Sequence, residues 1–215
     1  FLLQAAMYAA VVFLVIPYKA EFAEFREAPT KITPLKDLKE GLAYVTSQPV
    51  PRYAVLLSLV ATVWLMAFIQ TQLPVFVAVD LNDPDGGLLG LMGLGMGVGG
   101  FIGAVFVARF HFIRQKGRVA LIGVAGGAVS LILLAYAPSW QFAWVILVVQ
   151  QLFFITVMTT NNTILQSVTP DHLRGRVMGI FMLDVGMQPI GGVIAGILAT
   201  YYGVSLAWAF GGLMG

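Results

Sequence analysis

Cysteine is absent from this chain of 215 residues, which excludes a disulfide framework and a thiolate metal site and leaves the redox compartment unread. Histidine is nearly absent, since only His111 and His172 occur, and no Gly-x-Ser-x-Gly segment is found. A hydrolytic or transferase reading needs a nucleophile beside a base or a cluster of metal ligands, and neither can be assembled from these residues. The expectation is therefore a protein that is not an enzyme, with no catalytic residue, metal or cofactor. Charge is also scarce. Only 10% of residues are charged, the formal net charge is +2, and no basic stripe is present that could follow a phosphate backbone, so nucleic acid is not an expected partner.

What the chain has instead is apolar surface. It is 59% hydrophobic with a mean hydropathy of +0.89, more than a water-soluble fold could hide. The apolar residues come in runs, and a bilayer core of about 30 Å is crossed by roughly 20 of them in a helix. Runs between polar breaks predict a partial span over residues 1–17, complete spans near 53–79, 88–108, 119–137, 142–165 and 177–201, and a further partial span from Val204. Phe1 and Gly215 both fall inside apolar runs, so the expectation is a fragment whose natural chain continues in both directions.

Orientation follows from lysine and arginine, which cytoplasmic loops retain. With their flanks, the stretches 19–52, 109–118 and 167–176 carry six, four and two basic residues, which accounts for all 12, and the intervening loops carry none. The basic loops are predicted to be cytoplasmic, with Asp80, Asp83 and Asp85 on the other side. In the long basic stretch, Thr33-Pro34 reads as an N-cap followed by proline at the first helical position. Leu35, Leu38, Leu42 and Val45 then follow at helical spacing, as in an amphipathic helix lying on the membrane surface, a linker without regular structure being the alternative.

Glycine occupies nine positions between Gly86 and Gly103, including Gly93-x-x-x-Gly97 and Gly99-x-x-x-Gly103, and the run from Val177 contains Gly192-x-x-x-Gly196. In a membrane this spacing lets helix backbones approach, so these residues are candidates for helix packing. Grouping the spans in threes from Tyr53 and from Phe142 puts a glycine-rich helix second in each group, a faint sign of an internal repeat. Gly95-x-Gly97-x-x-Gly100 matches a dinucleotide fingerprint but lacks the preceding strand and the acidic residue, and Asn161-Asn162-Thr163 matches a glycosylation sequon inside a span. Both are read as coincidences.

Polar residues within apolar spans are costly and tend to face the bundle interior or a watery path. Gln151, Met158 and Asn162 share one helical face, with Gln166 near its end, and Gln150 and Asn161 share the next. Asp184 is the only acid well inside a span, reckoned at about 10 Å from a helix start at Val177, with Gln188 one turn on and then Pro189. Gln150, Gln151, Met158, Asn161, Asn162, Asp184 and Gln188 are the seven candidates for a substrate or coupling pathway. The plain structural alternative is that the amides hydrogen-bond between helices and that Asp184 pairs with a basic residue such as Arg109. Gln70 and Gln72, near a helix end, are read as less informative.

Two segments carry a resemblance. The run from Gln166 through Pro170, Arg174, Gly175 and Arg176 to Met178 resembles the loop between the tenth and eleventh helices in the branch of the major facilitator superfamily that includes enterobactin and macrolide exporters. Leu35 to Val45 with Pro49, Val50 and Arg52 resembles that family's linker between its two halves. The superfamily loop motif, Asp-Arg-x-Gly-Arg, would fall at Arg114 to Arg118, where Gly117 and Arg118 match and Arg114 replaces the acid. The resemblance implies an all-α membrane protein, the second six-helix half of a twelve-helix fold: residues 1–17 end the sixth helix, 18–52 form the cytoplasmic linker, and 53–215 are five complete spans and one truncated span. It also implies proton-coupled export of a drug or siderophore-like molecule, a multi-pass bacterial inner-membrane protein, and as partners the lipid bilayer, the missing amino-terminal half, a small-molecule substrate and protons. An importer of the same fold and a non-transporting scaffold or receptor are the rival readings.

Overall fold

The computed structural model describes residues 2–15, 34–83, 85–109 and 115–215, all of its regular structure being helical. Helix α1 (Leu2–Val15) belongs to a unit of its own over residues 1–34; its Tyr8, Phe13 and Leu14 are exposed apolar surface. The second unit, residues 35–215, is a bundle. It contains α2 (Pro34–Ser47) from Leu35 onward and then five helices long and apolar enough to cross a membrane: α3 (Pro49–Asp80), α4 (Gly87–Arg109), α5 (Lys116–Ala135), α6 (Trp140–Val168) and α7 (Asp171–Tyr202). A shorter apolar helix, α8 (Val204–Met214), follows.

Local chemistry sets the boundaries. Pro49 occupies the first turn of α3, where a missing N–H costs nothing. Ser139 caps α6 by accepting from the Phe142 N–H at 3.3 Å. Gly203, with φ +83°, makes the reversal between α7 and α8 in a conformation that residues with a Cβ avoid. The spans run past the hydropathy-based ends. Asp171 to Arg176, expected as loop, are the first turns of α7, because Pro170 precedes the helix and Asp171 places an acid against its positive end. Thr169 and Pro170 alone separate α6 from α7.

Backbone approach at small residues organises the packing of α4 on α6. A Cβ on Gly99 would run into the Val148 carbonyl, one on Gly103 would come within 2.7 Å of the Leu152 carbonyl oxygen, and one on Gly95 would meet the Trp144 ring at 2.9 Å. Trp144 Nε1 in turn donates to the Leu91 carbonyl at 2.9 Å. Gly93 and Gly97 meet nothing within 4 Å and are exposed. They stand two residues out of phase with the contact stripe, roughly 200° around the helix. The same correction applies to α7. The close contact is made by Gly191, whose Cβ would strike the Val63 carbonyl of α3, with Ala195 one turn on; Gly192 lies at its edge near Thr71, and Gly196 meets nothing.

The largest apolar cluster joins Leu65, Phe68, Ile69 and Phe76 of α3 to Leu131 and Leu134 of α5, Leu147 of α6 and Trp208 of α8. A second cluster sits at the basic end of the bundle and brings Val45 of α2 against Leu165, Val177 and Phe181. Helix α2 is therefore docked on the bundle through Gly41, Tyr44 and Val45, while Leu38 and Leu42 remain exposed on its other side. Thr33 lies outside the described residues.

Candidate functional site

The site is built around irregularities in α3. Two stretches of α3, Ala61–Met66 and Phe76–Asp80, are π-helical, and a π turn leaves one more residue per hydrogen-bonded ring than an α turn. The second follows Pro74, which cannot donate to the Gln70 carbonyl and so loosens the ladder there. In the first, the Ala67 N–H bonds to the Thr62 carbonyl, five residues back. Thr62 turns its hydroxyl outward from this widened stretch and donates to Asp184 Oδ2 at 3.1 Å. Both residues are buried, and Asp184 Oδ1 has no hydrogen-bond partner among the described residues.

Because α7 begins at Asp171, Asp184 lies about 20 Å along the helix rather than 10 Å, near its middle. Its partner is a hydroxyl, and it makes no ion pair with Arg109 or any other described residue. One turn on, Gln188 Nε2 donates to Gln70 Oε1 across the α3–α7 seam. Gln70, Thr71, Val185, Gln188 and Pro189 line an open cavity of about 340 Å³ beside this pair. Gln72, 1% exposed, donates to the Ala195 carbonyl at 2.7 Å. Gln70 and Gln72, read from the sequence as less informative, thus hold α3 to α7.

The polar residues of α6 go to different neighbours. Asn161, fully buried, donates to Ser58 Oγ of α3 at 2.9 Å and leaves its Oδ1 without a partner among the described residues. Gln151 packs against Gly99 and Gly100 of α4, with Oε1 unpaired among the described residues. Gln150 is fully buried, and neither end of its amide has a partner among the described residues. Met158 is half-buried between the two apolar clusters, and Asn162 accepts from Gln166 at 2.5 Å within its own helix. Of the seven pathway candidates, Asp184 and Gln188 share one site on α3, and Asn161 joins the same helix at Ser58, one turn before Thr62; the other four do not meet them.

At the basic end, Arg176 bridges two carboxylates of α2, bonding Glu40 and approaching Asp37 Oδ1 at 2.8 Å. Tyr44 donates to the Val168 carbonyl at 2.9 Å, and Gly41 fits against the Arg176 carbonyl and Ile180. The two segments that carry the sequence resemblance are thereby in contact. Arg174 pairs with Asp171 at 2.7 Å on the surface, while Gly175 is exposed with nothing within 4 Å. Arg118 donates to Gln115 at 2.7 Å, and Gly117 helps line a cavity of about 430 Å³ between the ends of α3, α5 and α6. Arg114 and His111 lie outside the described residues.

Ser58 and Thr62 were not legible as site residues, because a hydroxyl in an apolar helix usually bonds to its own preceding turn. Their spacing of one helical turn, facing an amide and an acid on other helices, is the signal that only the packing reveals.

Comparison with known proteins agrees with this architecture. The family described as Major Facilitator Superfamily matches residues 1–186. The chain is 28% identical to the multidrug efflux pump Tap of Mycolicibacterium fortuitum over 171 residues, 79% of this chain and 41% of that protein. It is 24% identical to the staphyloferrin A transporter of Staphylococcus aureus (strain NCTC 8325 / PS 47) over 217 residues, 99% of this chain and 52% of that protein. The chain thus spans about half the length of these curated relatives. No solved structure matches it.

Proposed function

Since the chain belongs to the major facilitator superfamily, we propose that it forms the carboxy-terminal half of a proton-driven exporter that moves a small organic solute by alternating access. Residues 1–17 then end the sixth helix, 18–52 link the halves on the cytoplasmic side, and 53–215 form the second bundle of a multi-pass bacterial inner-membrane protein. An amino-terminal half of the same chain completes the central path, with the bilayer, the solute and protons as its other partners.

The observation that carries this reading is Asp184, a carboxylate at the middle of a spanning helix with a hydroxyl as its bonding partner and no cation paired to it among the described residues. Ionisable groups at that depth are retained at a cost and mark ion or substrate paths. A lone carboxylate there can take and release a proton, and one turn away the Gln70–Gln188 pair and its cavity offer amide donors and acceptors to a solute. The amides supply both donors and acceptors for the polar groups of a solute, and Val185 and Pro189 beside them offer apolar contact to an organic frame. Export is favoured over import by the likeness to a protein named as an efflux pump, and the two relatives set the substrates to try first, drugs and staphyloferrin A.

The test uses the full-length protein in vesicles under an imposed pH gradient, with ethidium and staphyloferrin A as probes. Uphill movement of a probe in the wild type and its loss in Asp184→Asn are expected. Wild-type uphill transport by Asp184→Asn would overturn the coupling role of this residue.

A further inference from the structure

A buried polar seam leads from Asp184 to the basic end of the bundle without using the cavity beside Gln188. Thr62 donates to Asp184 Oδ2 at 3.1 Å, and Ser58 stands one turn earlier on the same face of α3. Residues so spaced have Cβ atoms about 5–6 Å apart, which one water can bridge between two hydroxyls. Ser58 accepts from Asn161 Nδ2 at 2.9 Å and donates to the Ala54 carbonyl at 3.0 Å. Asn161 and Leu57 are the residues farthest from the helix ends among those lining the 430 Å³ cavity, whose rim is Tyr53, Gln115, Lys116 and Ser167. Ser58, Thr62 and Asn161 are each at most 4% exposed, and Asn161, which borders that cavity, keeps a buried Oδ1 without a partner among the described residues. Buried polar groups in an apolar bundle are costly to leave unpaired, so an acceptor such as Asn161 Oδ1, which no described residue satisfies, is a place for water.

We infer that Thr62, Ser58 and Asn161 form a side route along which Asp184 exchanges its proton with the cavity between α3, α5 and α6. This rests on the reading of Asp184 as the proton carrier. In the release direction, the carboxylic O–H of Asp184 breaks as Thr62 Oγ accepts the proton and passes its own hydrogen to a bridging water. That water passes one to Ser58, whose hydroxyl turns from the Ala54 carbonyl and passes its hydrogen to a second water, drawn in from the cavity beside Asn161. One proton leaves, a carboxylate remains, and no electrons change hands. Asn161 acts as a positioning residue, holding Ser58 by its N–H and orienting cavity water by its free oxygen.

No other charge competes at this level among the described residues. Along α3, the titratable groups are Arg52 and Tyr53 at one end and Asp80 at the other. α6 and α8 have none; α5 has Lys116 and Arg118 in its first turn. Those of α7 other than Asp184 are at its ends: Asp171, His172, Arg174 and Arg176, then Tyr201 and Tyr202.

The test is infrared difference spectroscopy on the full-length protein in lipid after a pH jump, following the C=O stretch of a protonated carboxyl that disappears in Asp184→Asn. Relaxation of this band is expected to slow at least tenfold in Ser58→Ala and in Asn161→Leu, which act from two different helices, and to recover to within twofold of wild type in Ser58→Thr. Wild-type relaxation in both slowed variants, with the band present, would overturn the route and leave the proposed function standing. A wild-type protein with no Asp184-dependent band at any pH would remove the proton-carrier reading, and the route with it.

Discussion

Arg176 and Asp37 stand 2.8 Å apart, joining the start of a spanning helix to a surface helix that precedes the bundle in sequence. With Glu40 taking the other arm of the guanidinium, the contact is a fork between two carboxylates, a geometry that lysine cannot reproduce. Arg176→Gln should loosen α2 by about 1 kcal/mol, since the groups are only partly shielded from water. Hydrogen exchange should show faster exchange over residues 36–47, with α4 to α6 unchanged, and Arg176→Lys should fall closer to the glutamine variant than to wild type.

Leucine at Gly99 and at Gly97 should part company, although one spacing rule covers both. Gly99→Leu drives a side chain into the Val148 backbone and should cost about 3 kcal/mol or more. Gly97→Leu enters open space and should be nearly neutral. Folded yield by size exclusion and thermal unfolding in detergent will separate them; equal losses would contradict the α4–α6 contact described.

Gly191→Ala places a methyl group against the Val63 carbonyl and Ala67, so α7 should be displaced from the first π segment of α3. Uphill transport should drop about tenfold, corresponding to roughly 1.4 kcal/mol, while Gly196→Ala keeps the wild-type rate.

Thr62→Val is nearly the same size and removes only the donor to Asp184. Gradient-driven transport should fall at least tenfold, the loss expected when a buried charged acceptor loses a bond worth about 1.5–3 kcal/mol, and Thr62→Ser should restore most of it. Vesicle transport rates for the three proteins give the comparison.

Reporters fused after Lys116 and after Arg174 should signal the cytoplasm, and one near Asp83 the opposite side, because every basic residue lies in alternate loops or in the helix ends beside them. A cytoplasmic signal at Asp83 would reverse the orientation proposed.

Spanning helices were legible because twenty apolar residues have few other fates, and Asp184 stood out because a carboxylate in such a run is rare. The ends of the helices were less so: Asp171 to Arg176 are polar enough to read as loop, yet a proline before them and an acid at the first position favour helix. Phase was harder still. Gly93-x-x-x-Gly97 and Gly95-x-x-x-Gly99 are equally good patterns on paper, and only the neighbouring Val148 backbone selects the second. Likewise Leu38 and Leu42 follow the expected apolar spacing, but an ion pair from Asp37 and Glu40 pins the other face of α2 to the bundle.

The widened turn at Ala61–Met66 also limits how this helix can change over generations. A π turn accommodates one residue more than an α turn, so deleting a single residue there would restore a regular helix and rotate everything on one side of it by about 100° relative to the other. Ser58 and Gln70 would then no longer address the neighbours they now bond, and no single substitution could bring them back into phase. Length at this stretch should therefore be fixed more tightly than amino-acid identity, with substitutions tolerated where insertions and deletions are not.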